Sequence, residues 1–397
     1  MVYQNKKSKS GYKNESLLFK PPTRKIKPQT RLLLYVSAGG RCEFHNCNCY
    51  LMKHHLTHNW GNFGEMAHIY AFSKEGPRGN KRTRPDDKYL NNVDNLILLC
   101  GTCHKEIDKN KDEHPVSILR KFKKEHQKRI FYLTGLNPEN KTTVVQLKGM
   151  VRGQVVDIPV NHVIEAVYPR YPVDPKGYVI DLTNLTDDDS KSFYKEAFKK
   201  ISRDIDRIYE PGMDADKTQH VSLFALAPIP LLVYLGSKMS SKIPLEVYQR
   251  HRDTEKWTWK NDGESIKYLF SQIRKGANSN KVALIVSLSG KIHVSDLPNL
   301  IKKDMYVYEI TINTLEPNPD FLRSKEDINN FKKKYLYCIS KIHRKHPKLL
   351  EIHLFLAVPA PIAVLCGRER LPNAHAPLVI YNYNRKRGGY IKVGRIE

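Results

Sequence analysis

Asn95-Leu96-Ile97-Leu98-Leu99-Cys100-Gly101-Thr102-Cys103-His104 decides how this chain is read. Its Cys-x-x-Cys pair has an upstream counterpart in Cys42 and Cys47, and Ala67-His68-Ile69 lies between the two pairs. Four thiolates at such spacings close a tetrahedral zinc site that clamps together segments about fifty residues apart. Cys42, Cys47, Cys100 and Cys103 are therefore the expected ligands of a structural Zn²⁺. Cys49 is a third thiol beside the first pair and an alternative to Cys47. The metal's task is scaffolding: it fixes His104, directly after the second pair, relative to His68 and Asn95.

Working outward, the chain has 397 residues, above the usual range of one domain. Its net charge of +26 points to a polyanionic partner, with nucleic acid ahead of a membrane surface. The excess is +14 over residues 1–135 and +12 over the rest, so both parts are expected to meet phosphates. No apolar run approaches the roughly 18 residues of a spanning helix, and residues 1–30 lack a signal-peptide core. With cysteines that suit zinc and reduced thiols better than disulfides, a cytoplasmic protein with no membrane association is expected.

The reading divides the chain into a basic arm (1–30), a cysteine- and histidine-bearing domain (31–135), a linker (136–144) and a C-terminal domain (145–397). Ile118, Leu119, Phe122, His126 and Ile130 recur at helical spacing and predict a helix from Pro115 to Leu133. Beyond residue 145, β-rich runs at 179–181, 222–226, 282–287, 305–310 and 352–358 alternate with helical stretches, which predicts an α/β domain with a largely parallel sheet. That domain repeats itself. Val221-Ser222-Leu223-Phe224-Ala225-Leu226-Ala227-Pro228-Ile229-Pro230 is echoed by Ile352-His353-Leu354-Phe355-Leu356-Ala357-Val358-Pro359-Ala360-Pro361. Pro244-Leu245-Glu246-Val247-Tyr248 is answered by Pro377-Leu378-Val379-Ile380-Tyr381. A strand, a Pro-x-Pro turn and a helix start suit an anion, so two such units predict a pseudo-twofold ligand cleft. Pro228, Pro230, Pro359 and Pro361 would shape it. Arg250, His251, Arg252, Trp257 and Trp259 would face Tyr381, Tyr383 and Arg385, stacking bases and holding phosphates.

Residues 31–110 resemble the HNH endonuclease family, a ββα-metal fold, through Ala67-His68-Ile69, Asn95-Leu96 and Cys100-x-x-Cys103-His104. The resemblance implies that His68 is the general base, that Asn95 braces the loop and orients it, and that His104 binds a catalytic Mg²⁺ or another divalent cation. Many family members carry Asp or His before the base, where this chain has Ala67. Asp108, four residues after His104 and on its face of a helix, is the expected second ligand, with Glu65 in reserve. Arg78, Lys81, Arg82 and Arg84, in the loop beside the site, are expected to contact DNA phosphates.

Residues 145–397 resemble the SAVED domain, a fusion of two CARF-like, Rossmann-type units that binds cyclic oligonucleotides. The resemblance rests on the Phe224–Pro230 run, Val247–Arg252, Trp257-Thr258-Trp259 and the second copy. HNH joined to SAVED is similar to the effector nucleases of CBASS, the cyclic-oligonucleotide antiphage systems of bacteria. It implies a messenger, a cyclic di- or trinucleotide, that drives assembly from dimer towards tetramer and switches on non-specific cutting of double-stranded DNA. Three alternatives stand beside it: a zinc-stapled DNA-binding module without catalysis, an HNH restriction nuclease whose C-terminal domain reads modified DNA, and a C-terminal domain that hydrolyses its own ligand.

Overall fold

Leu96, Ile97, Leu98 and Leu99 are all fully buried, as an apolar run with no polar interruption requires of a strand covered on both faces. They form β2 in a computed structural model that describes residues 24–80, 82–150, 153–174, 176–185, 190–209, 218–313, 316–384 and 388–397, with only the backbone of Lys302 and Lys303. The chain divides between Leu136 and Asn137 into two compact units.

The first unit contains α1 (Pro28–Ser37), β1 (Gly64–His68), β2 (Leu96–Cys100), α2 (Gly101–Lys109) and α3 (Val116–Thr134). Proline at the first position of α1 is tolerated because that N–H needs no partner. β1 and β2 are antiparallel, with Gly64 opposite Cys100 and His68 opposite Leu96, and α2 follows β2 without a break. Leu34, Leu51, Ala67, Ile69, Ile107 and Leu119 close over β2 to make the core. α3 turns two polar side chains inward. Lys123 donates to the carbonyls of Val93 and Leu96, and His126 contacts the carbonyl of Ala38 at 3.0 Å. The buried Glu43 carboxylate accepts from the Leu98 N–H at 2.7 Å and from Gln127 at 2.8 Å, and burial pushes its pKa up to about 7.

The second unit is built twice. Its first half runs β3 (Lys141–Lys148), α4 (Val160–Val167), β4 (Tyr171–Pro172), β5 (Tyr178–Asp181), α5 (Lys191–Tyr209), β6 (Val221–Leu226), α6 (Ile229–Lys238) and β7 (Leu245–Tyr248). After β8 (Tyr268–Arg274) the order recurs as β9 (Asn278–Ser287), α7 (Asn299–Asp304), β10 (Met305–Ile312), α8 (Lys325–Lys345), β11 (Glu351–Ala357), α9 (Ala360–Arg368) and β12 (Leu378–Asn384). In the first sheet β5, β3, β6 and β7 are parallel neighbours, and β4 pairs the start of β3. In the second, β10, β9, β11 and β12 repeat that arrangement, and β8 and β13 (Gly389–Ile396) add antiparallel edges. The repeat is thus wider than the sequence echo, and β3 begins inside the stretch expected to be a linker.

The halves join through α6 and α9. Gly236 sits so close to α9 that a Cβ there would lie 1.9 Å from the Val364 carbonyl oxygen, and one on Gly367 would lie 1.8 Å from that of Val233. The contact is reciprocal, so each helix needs its glycine to meet the other's backbone. Among the described residues no helix is long and apolar enough to cross a membrane.

Candidate active site

The Sγ atoms of Cys42, Cys47, Cys100 and Cys103 all lie within 4.8 Å of one another. Zn–S bonds of ~2.3 Å in a tetrahedron place sulfurs ~3.8 Å apart, and Cys47 Sγ is 4.0 Å from Cys100 Sγ. Cys49 lies 3.6 Å from Cys47 Sγ but outside the quartet. Local backbone turns the thiols inward: the Cys103 N–H points at Cys100 Sγ (3.5 Å) and the Cys100 N–H at Cys42 Sγ (3.4 Å). Burial pushes the Cys42 thiol up to about 12 and raises Cys103 as well. Four sulfurs turned to one point, with burial opposing ionisation of Cys42 and Cys103, fit a thiophilic divalent cation, whose charge would offset what burial opposes.

The clamp sets β2 and α2 beside β1, and that places the chemistry. His68 ends β1, half-buried, with Nε2 2.9 Å from Asn91 Oδ1 and its ring against Phe72. An amide oxygen only accepts, so Nε2 carries the proton and Nδ1 the lone pair. Burial lowers the His68 pKa, against the opposing pull of Asn91, and so favours the neutral ring. Asn91 was missed in the sequence, where Asn91-Asn92 reads as one more polar turn. Asn95 is buried. Its Oδ1 accepts the Tyr70 N–H at 2.9 Å and its Nδ2 donates to the carbonyls of Tyr70 (3.1 Å) and Leu90 (2.9 Å), closing the loop that carries Asn91.

His104 lies in the first turn of α2 between two carboxylates. Its Nδ1 is 2.6 Å from Glu65 Oε2 and its Nε2 3.5 Å from Asp108 Oδ2. Ligands of an octahedral Mg²⁺ at 2.0–2.1 Å stand ~3 Å apart, so Nε2 and Asp108 fit a shared cation while Glu65 fixes the ring through Nδ1–H. Glu65 therefore sits beside the site as an orienting partner, two residues before the Ala67 position.

The loop arginines are corrected. Arg78 is 5% exposed and donates to the carbonyls of Ile69 (2.9 Å) and Ile107 (2.7 Å) and to Asp108 (3.3 Å). Arg84 donates to the carbonyls of Ala71 and Phe72 and to Asp87. Their guanidinium forks are spent on holding the loop, because carbonyls in a long irregular segment need donors. Arg82 is exposed, and Lys81 lies outside the described residues.

In the second unit, Pro228 and Pro359 cap the starts of α6 and α9, with Pro230 and Pro361 inside the first turns, at the carboxyl ends of β6 and β11. Arg250, paired with Glu255 at 2.7 Å, and the exposed Arg252 follow β7 at the same edge of the first sheet. Tyr383 is exposed on β12. The expected stacking planes are otherwise corrected. Trp257 is 1% exposed and packs edge-on against Phe224, Trp259 lies buried against the buried His251, and Tyr381 is stacked on Phe355 with its hydroxyl on His353. Large rings gain more from core burial than short strand ends gain by showing them, so these four fill the core instead of facing a ligand. Arg385 lies outside the described residues.

Residues 47–111 match the HNH endonuclease family, and residues 201–396 match SAVED, the SMODS-associated and fused to various effectors sensor domain. No curated protein matches the sequence. Among solved structures, the chain is similar to the Acinetobacter baumannii Cap4 SAVED/CARF-domain containing receptor with the cyclic trinucleotide 3′3′3′-cAAA (12% identity, TM-score 0.43). It is likewise similar to that receptor with 2′3′3′-cAAA (14%, 0.41) and to the Moraxella osloensis Cap4 receptor (12%, 0.39). Each alignment covers 74% of this chain and 62%, 61% and 60% of those chains in turn, so the chain spans less than two thirds of their length.

Proposed function

We propose, from the premise that this chain joins an HNH endonuclease domain to a SAVED sensor domain, that it is a bacterial antiphage effector which degrades double-stranded DNA when a cyclic oligonucleotide binds it. The observation that carries the reading is the pairing of His68 with Asn91, beside a His104 set between two carboxylates. A zinc-stapled binding module needs no neutral imidazole with a fixed tautomer at its surface. His68 Nδ1 takes a proton from water, and Asn91 holds the other face of the ring so that this lone pair stays directed. A divalent cation held by His104 and Asp108 would supply positive charge against the scissile phosphate and the leaving 3′ oxygen. Arg82, Lys81 and the +14 charge of residues 1–135 contribute sequence-independent affinity for the duplex.

The messenger, a cyclic di- or trinucleotide, binds the carboxyl edges of the two sheets, where Pro228, Pro230, Pro359 and Pro361 open two helix starts, Arg250, Arg252 and Arg385 meet phosphates and Tyr383 stacks. Binding favours a homo-oligomer, from dimer towards tetramer, whose HNH domains are competent, and the protein works in the cytoplasm. A toxic nuclease must be silent without its signal, and a ligand that prefers the assembled state populates it. Full-length protein and supercoiled plasmid, incubated with divalent cation and a panel of cyclic di- and trinucleotides, test this. One messenger is expected to give both assembly by sedimentation and nicking, with His68→Ala assembling but not cutting. Full cleavage without messenger, or His68→Ala cutting at the wild-type rate, would overturn it.

A further inference from the structure

The buried faces of α5 and α8 fall in one register, although buried Tyr194 and Cys338 answer to the half-buried Ile328 and Asp204. Buried Phe193, Ala197, Ile201, Ile205 and Ile208 correspond to buried Asp327, Phe331, Tyr335, Ile339 and Ile342. In that register Phe198 corresponds to Lys332, and along α6 and α9 Tyr234 and Ser237 correspond to Leu365 and Arg368. One departure from the correspondence opens space. In one half Phe198 stacks on Tyr234, ring centroids 4.2 Å apart, and its ring packs against Gly394 of β13, so the space is filled. In the other half the twin positions hold Lys332 and Leu365, and a cavity of about 450 Å³ opens between them.

That cavity is basic. Arg170, Lys325, Lys332 and Arg368 line it, with Glu246 as the one carboxylate of the wall. Glu246 holds Lys325, and Glu369 holds Lys332 at 2.7 Å, which leaves Arg170 and Arg368 without a carboxylate partner among the described residues. Arg368 donates through Nη2 to the carbonyls of Ser240 (3.3 Å) and Ile243 (2.9 Å), while its Nε is buried and unpartnered. His220, 7% exposed, is bound at Nδ1 by Thr142 Oγ1 (2.9 Å), and its Nε2 has no partner among the described residues. Tyr168 is exposed at the rim, and Asn140 and Asn329 add amide edges. Arg170, Arg368, which lies in the field of Glu369 without a direct ion pair to it, and an imidazole suit a dianion, and rim aromatic and amide groups suit a base. The cavity opens at the amino ends of β6 and β7, the opposite edge from the helix starts at Pro228 and Pro359.

We propose that this cavity is a second ligand site, distinct from the messenger cleft, which binds a small phosphomonoester of the nucleoside 5′-monophosphate class. It does not depend on the HNH domain being active. Calorimetric titration of the full chain with AMP and with inorganic phosphate tests it. AMP is expected to saturate at one per chain and more tightly than phosphate. Arg170→Ala should weaken AMP by about tenfold or more, and Tyr168→Ala should weaken AMP but not phosphate. Lys332→Phe, which installs the ring of the twin position, should abolish binding, and Lys332→Gln gives a weakened site should the larger residue prevent folding. No saturation at millimolar AMP, or variants that bind like wild type, would overturn the site. Phosphate binding as tightly as AMP would overturn the nucleoside assignment, and competition of AMP with the activating cyclic nucleotide would overturn its separateness.

Discussion

His68 is a base only if one of its nitrogens is kept for water, and Asn91 decides which. Asn91→Ala should lower the cleavage rate about 10- to 100-fold, the range usual for outer partners of active-site histidines, without changing zinc content or the folded state. The pH profile separates this role from a structural one. The neutral ring is the active form and burial lowers its pKa, so the acid limb of wild-type cleavage should have its midpoint below the ordinary histidine value of about 6.5. Asn91 supports the charged ring, so in Asn91→Ala that midpoint should move to still lower pH; an unmoved limb would remove Asn91 from the site. At this scale the sequence was legible where a residue type has few uses. His68, Asn95, His104 and the four cysteines stood out by spacing. Arg78 and Arg84 did not, because composition reveals a charge but not which carbonyls its donors will meet, and the two tryptophans were misplaced for the same reason.

Elements make the second set of claims. Cys100 caps α2, whose first turn carries both Cys103 of the thiol quartet and His104, so a metal held by the quartet and the helix would stand or fall together. Cys100→Ser should release zinc and unfold the first unit, read as lost metal content and lost helical signal; an active, zinc-bearing variant would contradict the clamp. Gly236→Ala places a methyl group against the Val364 carbonyl. It should destabilise the second unit by about 3 kcal/mol, at the upper end for an overfilled core, with Gly367→Ala doing the same from the other side. Unchanged denaturant midpoints would show that α6 and α9 can separate at little cost. The strands at 222–226 and 352–358 and the helix after Pro115 were readable as apolar runs with clear ends. The equivalence of α5 with α8 was not, since only their buried faces agree while their exposed residues diverge, and burial is invisible until the helices are packed.

Across the whole molecule, buried histidines set the response to acid. His220 is lowered to about 4, and His251, His346 and His353 are lowered as well, each chiefly by burial. A histidine whose pKa is lower folded than unfolded takes up its proton more readily in the unfolded chain, so the stability it permits is complete above about 6.5 and is lost as pH falls through that value. For His220 the loss between pH 6.5 and 4 is about 2 to 3 kcal/mol. Urea midpoints followed through the fluorescence of buried Trp257 and Trp259 should fall over that window, less so in His220→Gln; a flat profile would mean that these rings are not buried neutral. The glycine crossing has a mechanical meaning too. Two backbones in direct touch leave no slack, so α6 and α9 can neither draw closer nor slide without collision. What such a pin permits is a turn about itself. The two half-sheets are then levers on one pivot, and a small molecule seated at their far edges can alter the angle between them but cannot press the pivot tighter.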